Sequence, residues 1–84
     1  MERLEIEFSK KASKAYKKLP ADYKELVDSV LQKFTDGVPV DIKPITGEDN
    51  VYRIRVGKYR ILCEVIGKTL LIASIRTRGD VYKS

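Results

Sequence analysis

The sequence predicts an α+β domain of order β-α-α-β-β-β, a helical hairpin packed on one face of an antiparallel sheet. Three observations predict it. Apolar residues recur every second position before residue 9, then at helical spacing as far as Phe34, then every second position again from Val51. Gly57-Lys58 and Gly67-Lys68 interrupt that last stretch where two-residue hairpin loops belong. Runs of helix and strand segregated in this way favour two layers around one core. The 84 residues allow a single domain, 1–84, burying roughly 60–65% of its unfolded surface.

Arg3 to Phe8 places Leu4, Ile6 and Phe8 on one side and Arg3, Glu5 and Glu7 on the other, a half-buried strand. Ser9 fits the N-cap of a helix, its hydroxyl able to accept from an unpaired first-turn amide. Ala12, Ala15, Tyr16 and Leu19 follow at helical spacing, with Lys10, Lys11, Lys14, Lys17 and Lys18 on much of the remaining surface. Leu19-Pro20 punctuates, since proline disfavours helix in the residue before it and suits the first turn of the next helix. Tyr23, Leu26, Val27, Val30, Leu31 and Phe34 then form the clearest apolar stripe, and Gly37 suits the left-handed position that ends a helix. Gly37 to Asn50 has no clean period and reads as a structured loop. Strands are expected at Val51–Val56, Tyr59–Ile66 and Thr69–Arg76, forming a meander with type II′ turns. Asp80–Ser84 is left as a short tail.

Composition narrows the chemistry. With one cysteine, Cys63, and no histidine, neither an internal disulfide nor a conventional structural zinc site can be built. Cys63 falls among core-facing residues and reads as packing. No apolar run approaches the roughly 18 residues of a membrane span, and no signal-peptide pattern is read at the start. The expectation is a cytoplasmic protein without cofactor, metal or membrane partner. An imidazole base is excluded.

The charge is uneven. Residues 1–42 carry eight basic and eight acidic side chains, whereas residues 43–84 carry nine and four, so the whole net charge of +5 sits in the second half. Five of the six arginines, Arg53, Arg55, Arg60, Arg76 and Arg78, lie between residues 53 and 78, while nine of the eleven lysines fall outside that stretch. Arginine grips phosphate bidentately and stacks on bases; lysine is a hydrated point charge. The expected turns pair Arg55 with Arg60, Leu62 with Ala73 and Arg60 with Ile75. Arg53, Arg55 and Arg60 then share the face away from the helices with Leu62, Leu71, Ala73 and Ile75. Strict register puts Arg76 and Arg78 on the core face, Arg78 lying beyond the strand and free to bend back. Opposed like charges destabilise a sheet, so an anion explains the pairing better than folding does. A solvated basic face that discourages edge pairing is the competing explanation. Tyr82, a lone aromatic in a polar ending, suits burial, base stacking or proton handling.

Tyr52-Arg53-Ile54-Arg55-Val56-Gly57-Lys58-Tyr59-Arg60 closely resembles a core motif of the RelE/ParE toxin superfamily of prokaryotic toxin–antitoxin systems, nearest its RelE-type branch. Ile45-Thr46-Gly47 resembles the element before that motif, and Arg78-Gly79-Asp80-Val81-Tyr82 its terminal arginine-x-acidic-valine-tyrosine. The resemblance implies a RelE-like fold and a ribosome-dependent endoribonuclease that cleaves mRNA in the A site. There the 2′-hydroxyl attacks the adjacent phosphate. It also implies neutralisation by a cognate RelB-like antitoxin, short and acidic, with the complex binding operator DNA through that antitoxin. Carried over by matching position, Arg60, Arg78 and Tyr82 are catalytic, and Arg53 and Arg55 hold RNA phosphate; Arg76, from the same arginine cluster, is expected to hold phosphate with them. The sequence departs from the pattern in two ways. Thr77 stands where some relatives have histidine, and Arg53 and Arg55 where some have lysine, so no conventional base is present. The alternatives are a ParE-like inhibitor of DNA gyrase without nuclease activity, a weakened toxin, or a plain nucleic-acid-binding module.

Overall fold

Alternating charged and apolar residues extend the chain as β1 (Glu5–Phe8), and Ser9 turns it into α1 (Lys10–Lys17). The structure is a computed structural model described over residues 4–77. Ser9 keeps an extended backbone, φ −65° and ψ 165°, and its hydroxyl accepts from the Ala12 amide at 3.0 Å, the cap expected of it. After Pro20 the chain enters α2 (Ala21–Thr35). That helix ends where Gly37, at φ +81°, lets the Val38 amide reach back to the Lys33 carbonyl at 2.8 Å. This is a Schellman closure, and a side chain at residue 37 would strain it. The Tyr16 hydroxyl of α1 donates to both Asp28 carboxylate oxygens of α2, at 2.8 and 3.0 Å. That bond, with smaller help from desolvation and the Asp28 charge, holds the Tyr16 pKa above the ordinary phenol value.

Four further strands, β2 (Ile42–Pro44), β3 (Val51–Val56), β4 (Tyr59–Ile66) and β5 (Thr69–Thr77), complete a five-stranded sheet of order β1-β5-β4-β3-β2. The α+β class and the helical hairpin hold, with two additions. Ile42–Pro44, expected to be loop, forms a short strand antiparallel to β3. It sits at the sheet's edge, where proline does least harm. β1 joins β5 in parallel register, from Glu5 opposite Thr69 to Phe8 opposite Ile72, so the sheet is mixed. Both hairpin loops carry positive φ at glycine only, +57° at Gly57 and +58° at Gly67, the sign pattern of a type II′ turn.

The helices cover one face. Ala12, Leu19, Val27 and Leu31 pack against Ile54, Val56, Ile61, Cys63, Leu70, Ile72 and Ile75. Leu26, part of the expected stripe, lies at its margin and stays 47% exposed. At the β3–β4 turn Tyr23 meets Tyr59 edge-on, ring centroids 4.7 Å apart, and the Lys58 ammonium sits over both rings at 5.6 and 5.8 Å. A Cβ at Gly57 would come within 3.0 Å of Tyr23 Cε1, whereas one at Gly67 would meet open space.

That contrast gives a matched pair. Both Gly→Ala changes impose positive-φ strain of about 1–2 kcal/mol. Gly57→Ala should cost about 1 kcal/mol more, because it also overpacks Tyr23. Urea unfolding of the two variants measures the difference, and equal midpoints would show that Tyr23 gives way freely.

Candidate functional site

The register of β3 against β4 is the expected one: Arg55 faces Arg60, Arg53 faces Leu62 and Val51 faces Glu64. Because Val56 and Tyr59 flank a two-residue loop and exchange hydrogen bonds, the next pair, Arg55 and Arg60, is the non-hydrogen-bonded kind. Its Cα atoms lie about 4.5 Å apart.

Between β4 and β5 the expected register fails, and the failure enlarges the site. The strands start in step, Glu64 opposite Leu71 and Cys63 opposite Ile72, but slip by one between Leu62 and Cys63. Ala73 has no partner, Leu62 faces Ser74, Ile61 faces Ile75 and Arg60 faces Arg76. A bulge of this kind inverts every later side chain. Ile75, expected on the outer face, joins the core at 7% exposure. Arg76, expected on the core face, stands on the outer face next to Arg60. The signal lay in the phase of the apolar residues, which changes from even positions, Leu70 and Ile72, to the odd position Ile75.

Arg55, Arg60 and Arg76 therefore occupy one cross-strand row over β3, β4 and β5, spanning about 10 Å at ordinary strand spacing. The neighbouring row holds Lys43, Arg53, Leu62 and Ser74. Lys43 was missed in the sequence because its segment had no period long enough to show a strand. Two unit charges about 5 Å apart repel by up to about 3 kcal/mol at an effective dielectric near 20, so the row opposes folding. Arg53 sharpens the point. It is only 7% exposed, yet among the described residues its Nη1 has no hydrogen-bond partner, and neither does the buried Nε of Arg60. Solvated surface residues do not look like this, since buried polar groups are normally satisfied. The exposed Arg55 and Arg76 beside them are the guanidiniums an incoming anion could reach.

The lysines behave differently. Lys10, Lys11, Lys14, Lys17 and Lys18 lie exposed on α1 or just after it, and Lys58 is engaged over Tyr23 and Tyr59. Cys63 is fully buried on the helix side, its thiol 3.6 Å from the Tyr52 carbonyl, and burial pushes its pKa up to about 11. Among the described residues no group of three or more Cys, His, Asp or Glu side chains could hold a metal, and no helix is long and apolar enough to cross a membrane. Arg78 and Tyr82 lie outside the described residues.

Over its described residues the chain is a small α+β domain with a helical hairpin on one sheet face and a row of arginines on the other. Residues 6–82 match the model of the ParE toxins of type II toxin–antitoxin systems; the chain belongs to this family, and with it to the RelE/ParE toxin superfamily. It is similar to toxin RelE3 of Methanocaldococcus jannaschii, 31% identical over 94% of this chain and 96% of the relative. The fold is that of a RelB–RelE antitoxin–toxin complex from Methanococcus jannaschii, with TM-score 0.77 and 32% identity over 89% of this chain and 93% of the other. It is likewise that of the isolated E. coli RelE toxin, with TM-score 0.78 and 22% identity over 94% and 90%.

Two measurements follow from the site. Arg53→Met replaces a buried, unpaired cation with an apolar chain of similar reach, and should raise stability by about 1 kcal/mol or more; a lower urea midpoint would mean that Arg53 is satisfied. Cys63 should resist alkylation at pH 8 in the native protein and react on unfolding. Its thiol pKa rises from 9.0 to about 11 on folding. The stability it contributes is therefore complete below pH 9 and lost as pH climbs through about 11.

Proposed function

We propose that this protein is a ribosome-dependent endoribonuclease of a type II toxin–antitoxin system, cutting mRNA in the ribosomal A site. The observation that carries this reading is the row Arg55–Arg60–Arg76 beside the buried Arg53, whose Nη1 has no partner among the described residues. Similarity to RelE3 over nearly the full length of both chains supports it.

In the proposed reaction the mRNA 2′-hydroxyl attacks its own 3′-phosphate. The 2′-oxygen–phosphorus bond forms, the bond to the 5′-oxygen of the next nucleotide breaks, and the products are a 2′,3′-cyclic phosphate and a free 5′-hydroxyl. The proton lost by the 2′-hydroxyl must leave, and the departing 5′-oxygen must gain one. Between these events the phosphorus carries five oxygens and extra negative charge. Arg60, flanked by Arg55 and Arg76, would meet that charge with donors already in place, where such groups act most strongly. Arg53 and Arg55 would hold the phosphate before reaction. Arginine keeps its proton at any working pH, so none of these is the base. Tyr82 or the ribosomal RNA would handle the proton, with Arg78 as a second stabiliser of the phosphorane. A RelB-like antitoxin partner is supported by the antitoxin–toxin complex whose toxin shares this fold at 32% identity. The second reading, a gyrase inhibitor, is favoured by the ParE description of the matching family model.

Purified ribosomes carrying a defined message separate the two. Arg60→Ala should cut cleavage by about 10²–10³-fold, as removing one oxyanion donor does, and Tyr82→Phe by about 10²-fold or more if its hydroxyl moves the proton. Variants that cleave as fast as the parent would remove these assignments. Intact message accompanied by gyrase-dependent DNA breaks would establish the ParE-like reading instead.

A further inference from the structure

Ser9 carries a second hydrogen bond that its role as a helix cap does not require. Its hydroxyl accepts from Ala12 N at 3.0 Å and also donates to the Ala73 carbonyl at 2.8 Å. Ala73 is the residue left without a partner by the slip between β4 and β5. One position earlier, the Ile72 carbonyl accepts from the Ser9 amide at 2.9 Å. A single residue at the β1–α1 junction thus holds two successive carbonyls of β5 at the point where the strand changes phase.

We infer that Ser9 is a positioning residue for the arginine row, acting through the Ala73 carbonyl to pin the bulge that precedes Arg76. Two devices divide the work. Burial of Ile75 requires one extra residue after Ile72, but it does not choose between Ala73 and Ser74 as the residue left out. The Ser9 donor chooses Ala73. A bulge leaves its extra residue outside the ladder, and among the described residues the side chain of Ser9 gives the Ala73 carbonyl a fixed partner at 2.8 Å. Without that donor the bulge is free to migrate between positions 73 and 74, and the backbone immediately before Arg76 loses its fixed course. Arg60 and Arg76 would then face each other without a set separation. A row meant to grip one phosphate cannot tolerate that looseness, because misplacement of about 1 Å already costs much of the benefit of orientation.

The proposal rests on reading this face as a phosphate-binding site, and its test keeps the two ideas apart. Ser9→Asp retains an oxygen that caps α1 well but has no proton to give Ala73. Ser9→Thr retains both functions. Amide hydrogen exchange of the full chain reads the bulge directly. In Ser9→Asp the amides of Ser74 and Ile75 should exchange about five- to tenfold faster, the equilibrium value of one hydrogen bond. Those of Ala12, Ser13 and the β3–β4 ladder should stay as in the parent, and Ser9→Thr should match the parent throughout. Binding of a short single-stranded RNA, titrated against salt, reads the consequence. Ser9→Asp and Ser9→Ala should each weaken binding in the parent and have no further effect once Arg76→Ala is present. Unchanged exchange at Ser74 and Ile75 would reduce Ser9 to a cap. Losses that multiply in the double variants would show that it does not act through Arg76. If the parent neither binds the RNA nor cleaves message on ribosomes, the phosphate reading of the face falls, and the exchange result still decides what Ser9 does.

Discussion

One unpaired residue in β5 governs both faces of the sheet. The slip at Ala73 sends Ile75 inward and Arg76 outward, so core and site are completed by the same irregularity. Without it, Arg76 would point among the helices opposite Tyr59, and a desolvated guanidinium would replace an isoleucine in the core. Core packing and site assembly are therefore a single requirement on the backbone. Apolar burial, worth about 1.5–3 kcal/mol for such a side chain, supplies the force that keeps the arginines together.

The arginine row runs against stability in each of its parts. Arg55 opposes Arg60, Arg60 opposes Arg76, and Arg53 is buried with a donor unpaired. Such groups persist only where the surrounding structure overdetermines them. Here the surroundings are the ladders on both sides of β4 and the helical hairpin beneath. The hairpin is itself fixed by Tyr16 on Asp28 and by Tyr23 and Tyr59 under Lys58. The two cation types are sorted accordingly. Lysines stay in water or over aromatic rings, and the arginines are held on the sheet.

Much of this was legible in the chain. The strand and helix periods, the Ser9 cap, the glycine turns and the Arg55–Arg60 pairing follow from local rules that the structure obeys. The partnership of β1 with β5 does not, because four residues of alternating pattern carry no indication of which edge they will join. β2 was hidden because three residues are too few to show a period. Arg76 was misplaced because an unbroken register was assumed, although Ser74, Ile75 and Arg76 stand in the opposite phase to Leu70 and Ile72. Arg78 and Tyr82 rest on the family's terminal motif alone.

The β1–β5 pairing also orders events in time. The meander strands are neighbours in the chain and close over two-residue loops, whereas Ser9 and Ala73 are 64 positions apart. Contacts so distant are slow to form, since the entropy of closing the loop precedes any gain. A chain emerging from synthesis can therefore fold its hairpins and display Arg55 with Arg60 well before the first strand docks. The full row with Arg76 held in place belongs to the finished molecule.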